Sequence, residues 1–404
     1  MAAPEPSPAR PRRRWLARGL VVLAALLAFL ALHAIWLDRQ LLNTDNWTAS
    51  SSELLEKPAV RNQAAAFLTD ELYQRVDIEA TIRDALPPRA QVLAEPAARL
   101  LRERVELRAR QMLERPRVQA LWEDANRAAH QMLMRVLEGG GTAVSTENGT
   151  VVLNLKTLLE ELQAQVGIGG RVAGALPADA AQITVLKSDQ LATAQDVAKL
   201  IDGLPIVLVA LSLLLFAAAL LLAPDVRRHT VRGYGIGLMA AGAAAIASIA
   251  WAGDYIVGSL SDTAATEPVV RDVWDVYDTL LIEASTAAIG YGAVMVLGAW
   301  LAGPTAWAVD VRRALAPYLA QPALAYGAFA ALMFIVVVWW SPTPATRNPV
   351  TALLLIALLA LGFEALRRRT RGEFPDAVVR QAEPIAGEVP NGGATQPQPR
   401  ETVT

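Results

Sequence analysis

SDQLATAQDVAKLIDGLPIVLVALSLLLFAAALLLA, residues 188–223, changes character halfway along without a break. Its first half is amphipathic, with Leu191, Ala194, Ala198 and Ile201 spaced to fall on one face of a helix. From Leu204 the run is apolar on every side for 20 residues, the length that crosses a hydrocarbon core about 30 Å thick. Only Gly203 and Pro205 mark the transition. A water-facing helix therefore feeds into a membrane span, and the segment before it is a domain hung from the bilayer.

Working outward, residues 19–36 form an earlier apolar run behind RPRRRWLAR, residues 10–18. The run is 18 residues long and ends in no A-x-A pattern, so it reads as an uncleaved anchor rather than a signal peptide. Further runs at 233–253, 279–301, 323–340 and 350–366 bring the expected spans to six, with 204–223 as the second. SPTPATRNP, residues 341–349, predicts a tight hairpin between the last two.

Arginines fix the orientation. Arg10, Arg12, Arg13, Arg14 and Arg18 precede the first run, Arg227, Arg228 and Arg232 separate the second and third, and Arg312 and Arg313 follow the fourth. Arg367, Arg368, Arg369 and Arg371 follow the sixth. All share one side if both termini are cytoplasmic, as the positive-inside rule requires. The expected layout is a disordered basic N-terminus at 1–18, an exoplasmic domain at 37–203, an acidic exoplasmic loop at 254–278 and a disordered cytoplasmic tail at 367–404. Trp15, Trp36, Trp251, Trp300, Trp307, Trp339 and Trp340 flank spans, as an interfacial belt does. Trp47, Trp122 and Trp274 need another explanation.

Composition excludes several chemistries. The 404 residues are 53% hydrophobic and 19% charged with a net charge of −2, which gives no global basic field for nucleic acid. Cysteine is absent, so disulfides, thiolate catalysis and cysteine–metal sites are out. The three histidines, His33, His130 and His229, lie far apart in sequence. None of H-E-x-x-H, G-x-S-x-G or the phosphate-loop pattern occurs. The expectation is a non-enzymatic protein with no cofactor and no metal.

Between the first two runs, Ser50–Ser51–Ser52–Glu53 fits a capping box, and Pro58 begins a helix through about Gln74. Asp77 caps a short helix, and longer helices follow at 89–114 and 116–137. Arg99, Arg102, Arg104, Arg108 and Arg110 among Glu95, Glu103, Glu106 and Glu114 read as a solvated, salt-bridged face. TAVSTENGTVVLNL, residues 142–155, holds two β-rich runs around Asn148–Gly149, and QITVLKS, residues 182–188, can add a third strand. LKTLLEELQAQ, residues 155–165, reads as helix. The expected fold class is a mainly α membrane protein: a six-helix transmembrane bundle with a mostly helical α+β exoplasmic domain holding a β-hairpin or three-stranded sheet.

LLNTDNWTASSSELLEKPAVRNQAAAFLTDELYQRVDIEATI and ITVLKSDQLATAQDVAKLIDGLPIVL resemble a group of uncharacterised integral membrane proteins of high-GC Gram-positive bacteria. The resemblance covers about residues 37–222. It implies a cell-envelope setting and this topology, and brings no activity.

Three features stand out as candidate sites. Glu283 sits inside the fourth span, with Tyr291 on the same face, and could serve as a proton or cation site or reach the outer headgroups. Asp272, Asp275 and Asp278 recur every third residue and read as a hydrated acidic rim. Gly233, Gly237, Ala241 and Ala245 form a small-residue stripe for close helix packing. The leading functional expectation is an envelope sensing or interaction protein acting through its exoplasmic domain, and the alternative is a small permease or channel using Glu283. Expected partners are the lipid bilayer and an envelope protein or a second copy of the chain.

Overall fold

The structure, a computed structural model, describes residues 9–138, 144–147, 150–154, 182–261, 263, 266–335 and 349–375. The chain divides into two compact units, Met1–Val296 and Leu297–Thr404.

In the first unit, α1 (Ala9–Leu41) and α7 (Ser188–Leu222) are each longer than a membrane is thick. Ala17, Val21 and Ala24 of α1 and Ala219 of α7 are buried together at one end of this pair, where Tyr234 of α8 (Arg227–Leu260) joins them. Tyr234 stacks on Phe216 with ring centroids 4.3 Å apart. Its hydroxyl lies 2.9 Å from Ser212 Oγ, which donates to the Ala24 carbonyl at 2.7 Å. The Ser212 and Tyr234 hydroxyls, placed among apolar helices, thus each have a partner, without which each would cost several kcal/mol. Towards the other end, Leu32, Ala245, Ile249, Leu281 and Ala288 form a second core joining α1 and α8 to α9 (Glu267–Leu301). His33 crosses from α1 to Ser248 of α8 at 3.0 Å, a packing role.

Five helices build the domain between α1 and α7: α2 (Thr44–Glu56), α3 (Pro58–Arg75), α4 (Ile78–Ala85), α5 (Ala94–Leu113) and α6 (Pro116–Leu137). Asp77 caps α4, its Oδ1 accepting from Ala80 N at 2.8 Å. The capping-box expectation is corrected: Ser50, Ser51, Ser52 and Glu53 lie inside α2, whose cap is Asn43, accepting from Asn46 N at 3.0 Å. Burial decides this, because Ser50 takes a hydrogen bond from Gln40 and the Ser51 carbonyl one from Trp122. Glu95–Arg99, Glu106–Arg110 and Arg102–Asp70 ion pairs line the α5 face.

Strand β1 (Val144–Glu147) pairs antiparallel with β2 (Thr150–Asn154), and β2 pairs antiparallel with β3 (Gln182–Lys187), with an irregularity at Val151–Val152. The expected helix at 155–165 lies outside the described residues.

The expected fold class is corrected in two respects. Among the described residues, four helices, not six, are long and apolar enough to cross a membrane: those of α1, α7, α8 and α9. The α+β assignment gives way to all-α, because the described residues are overwhelmingly helical and, among them, extended chain is confined to strands of 4, 5 and 6 residues. Strands so short and few cannot define a layer with its own core.

Two of the expected spans are not among these four. The helix α11 (Pro322–Phe334) has 13 residues, about 20 Å at 1.5 Å per residue, against about 30 Å of hydrocarbon. The rest of the expected fifth span, 336–340, and the hairpin at 341–348 lie outside the described residues. The final helix, α12 (Pro349–Glu373), which carries Glu364, Arg367, Arg368, Arg369, Arg371 and Glu373 in its second half, is not among the four.

Segment boundaries move as well. Residues 9–18 are helical rather than disordered, α12 carries helix to Glu373, and α8 and α9 take up most of the expected 254–278 loop. Hydropathy marks where side chains stop being apolar, whereas backbone hydrogen bonding propagates past that point at little cost.

The second unit is organised by arginines that cap helix ends. Arg312, of α10 (Ala306–Ala320), is 1% exposed. Its Nη1 donates to the carbonyls of Leu301 and Gly303, while Nε and Nη2 hold both Glu373 oxygens at 2.8 Å. Arg367 donates to the Leu319 carbonyl at 3.1 Å and Arg371 to that of Ala320, which satisfies the end of α10. These residues, read from sequence only as topological charges, are structural caps.

Candidate functional site

The junction between the domain and its two flanking spans gathers most of the side chains of interest. Where α1 ends, its last carbonyls have no partner within the helix. Asn46 Nδ2 donates to the Arg39 carbonyl at 3.2 Å, and His130 Nε2, from α6, donates to the Leu41 carbonyl at 3.1 Å. The second ring nitrogen, Nδ1, lies 3.0 Å from Thr44 Oγ1. With Nε2 committed as donor, the neutral ring accepts from the Thr44 hydroxyl.

His130 is 3% exposed and stacks on Trp47 at 5.0 Å between centroids. Trp47 in turn meets the edge of Tyr277, on α9, at 6.3 Å, and the Tyr277 carbonyl accepts from Trp36 Nε1 of α1 at 2.7 Å. The aromatic chain Trp36, Tyr277, Trp47 and His130 therefore ties α1, α9, α2 and α6 together at one level. Arg127 and Asp45 brace α6 against α2 at 2.5 Å, and this hydrogen bond raises the Arg127 pKa above its ordinary value. On the opposite side, α7 reaches α6 through Gln195 Nε2, which donates to the Val136 carbonyl at 2.9 Å.

Beside the ends of α1, α6 and α7 lies a half-open cavity of about 340 Å³. Asp38, Asp202 and Glu138 supply three carboxylates, Lys199 one ammonium and Asn43 an amide, over a floor of Leu42, Met134, Leu137 and Ala198. Its volume falls in the range of small-molecule sites. The lining carries a net negative charge with one apolar wall, and among the described residues no group of three or more acidic or imidazole ligands could hold a metal ion.

The residues singled out in the sequence lie elsewhere. Glu283 is exposed on α9, and Tyr291, half-buried, is eight residues further on, about 12 Å along the axis. Of the acidic rim, Asp275 is exposed, and Asp272 and Asp278 are half-buried. A Cβ on Gly237 would come within 2.7 Å of Ala25 Cβ, so this part of the stripe lies against α1, as does Gly233 beside Val21. Ala241 and Ala245 are buried.

The tightest helix approach involves glycines outside the stripe. A Cβ on Gly242 would lie 2.5 Å from the Ser285 carbonyl oxygen, and Gly235 and Gly292 meet backbone to backbone. The three unexplained tryptophans also find places: Trp47 on His130, Trp122 on the Ser51 carbonyl and Trp274 against Gly253.

Sequence reasoning missed His130, Tyr277 and the Asp38–Asp202 pair. One signal was available: Asp38 and Asp202 each sit within two residues of an apolar run's end. No protein family, curated protein or solved structure matches the chain. The four long apolar helices fit a membrane protein.

Proposed function

We propose that this chain is a multi-pass membrane protein with cytoplasmic termini and an exoplasmic domain, acting without catalysis to sense or bind a component of the cell envelope. The arginines before α1 and between α7 and α8 support that orientation under the positive-inside rule. The observation that carries the functional reading is the junction. The domain is not tethered by linkers: α7 runs unbroken for 35 residues from domain to span, and His130, Trp47 and Tyr277 fasten α6 and α2 to the ends of α1 and α9. A guest that reshapes the cavity beside Asp38 and Asp202 would bear directly on both spans. Three carboxylates against one ammonium favour a guest bearing a cationic group.

The test is crosslinking in native membranes with the full chain, a chain lacking residues 44–187, and Ala198→Trp, which fills the cavity floor. A partner or ligand captured by the full chain and lost in both variants supports the reading. Identical capture by all three would refute it.

A further inference from the structure

At the opposite end of the first unit from the junction, α1 and α8 enclose a second cavity, of about 510 Å³. Its rim is cationic, with Arg14 and Arg18 one helical turn apart on α1 and His229 on α8; its floor is apolar, with Val21, Val22 and Gly233. Polarity changes within one turn: from Arg18 to Val22 the helix advances about 6 Å. The change coincides with the start of the apolar run at residue 19. The cavity is thus charged where the headgroups lie and apolar where the acyl chains begin.

Charge in this region is strongly unbalanced. Residues 12–18 and 224–233 carry seven arginines and one acid, Asp225. Asp225 is engaged by Arg14, whose Nε and Nη2 donate to Oδ2 at 3.0 and 2.7 Å. That pair fixes Arg14 across α1 and the start of the α8 segment. Among the described residues Arg18 has no ion-pair partner; its guanidinium rests over the Trp15 ring at 5.5 Å. Gly233 keeps the floor open, since a Cβ there would meet nothing nearer than Val21 Cγ1 at 3.6 Å.

We propose that this cavity seats the phosphate-bearing head of an anionic phospholipid from the leaflet on the N-terminal side, with one acyl chain over Val21, Val22 and Gly233. Guanidinium groups bind phosphate oxygens through paired N–H donors, and basic pockets between membrane helices take anionic heads in this way. A soluble phosphate would use the rim and leave the apolar floor in contact with water, whereas an amphiphile covers both.

The experiment is native mass spectrometry of the full chain in detergent with added dioleoyl phosphatidylglycerol, dioleoyl phosphatidylcholine or inorganic phosphate. One phosphatidylglycerol should be retained, roughly tenfold or more over phosphatidylcholine. Arg14→Gln with Arg18→Gln should abolish that preference. Gly233→Leu, which keeps every charge and fills the floor, should abolish it as well, so the result does not depend on preserving the Arg14–Asp225 pair. Arg13→Gln with Arg232→Gln, equal in charge and outside the cavity, should leave it unchanged. Equal retention of both lipids, equal loss in the Arg13/Arg232 control, or retention in Gly233→Leu would overturn the proposal. Displacement of the lipid by millimolar phosphate would overturn it too, leaving a site for the free anion.

Discussion

Gly290 and Gly292 lie two residues apart on α9, and replacing each by alanine isolates the energy of close helix packing. The substitutions add the same methyl group, and any gain in helix propensity, up to about 1 kcal/mol, is common to both and cancels. At Gly290 the new Cβ meets nothing within 4 Å. At Gly292 it would overlap the Gly235 carbonyl oxygen and come within 2.8 Å of Met239 Cγ and 3.0 Å of Met239 N, all on α8.

Two of those three atoms belong to helical backbone, which cannot rotate aside, so α8 and α9 must part by more than half an ångström. Overpacking of a filled core costs about 1–3 kcal/mol. That loss also falls on the neighbouring contact, where Gly242 already approaches the Ser285 carbonyl. The Gly292→Ala chain should therefore be less stable than Gly290→Ala by about 1–3 kcal/mol. The assay is denaturant titration of the full chain in bicelles, followed by tryptophan fluorescence. Because the chain has no cysteine, engineered cysteine pairs between α8 and α9 can report the separation independently. Equal stability of the two variants, within about 0.5 kcal/mol, would show that the α8–α9 approach is not close-packed and would sink the argument.

Other consequences can be checked separately. Arg312→Leu removes a buried guanidinium that holds Glu373 and two carbonyls, so the second unit should lose about 3–5 kcal/mol, measured by protease susceptibility of residues 297–375. The hydrogen bond from Arg312 holds the Glu373 carboxyl below its ordinary value. A lowered folded pKa contributes stability that is complete above the unfolded value of about 4.3 and disappears as pH falls through the folded one. Thermal stability of the second unit should therefore fall on acidification below about pH 4.3, and less so in Glu373→Gln; identical acid profiles would contradict this. His130→Ala leaves the Leu41 carbonyl without its donor and Trp47 without its stacking partner, for a loss of about 2–4 kcal/mol, whereas His130→Gln should recover part of it through its amide donor. Hydrogen exchange at α2 and at the end of α1 would report both variants.

How much of this was legible in the sequence depends on the range of the interaction. Asp77 as a cap and the Glu95–Arg99 and Glu106–Arg110 pairs along α5 depend on neighbours within a few residues, and pattern reading located them. The capping box at Ser50 and Glu53 satisfied the same local rule but failed, because contacts from Gln40 and Trp122 outside its own helix placed it within α2. Glu283 drew attention as an acid in an apolar run, but periodicity gives relative angle around a helix and not which angle faces a neighbour.

What the sequence determined by itself was the membrane character of the chain, the α1 and α7 runs flanking a domain, and the arginine distribution, all of them sums over local composition. Only the tertiary structure decided that Arg312, Arg367 and Arg371 are caps, and that α8 and α9 meet through Gly235, Gly242 and Gly292. It alone brought Asp38 to Asp202 and Trp47 to His130, across 164 and 83 residues of chain. Those pairings depend on which helix faces pack together, and that choice is made by the whole set of contacts at once.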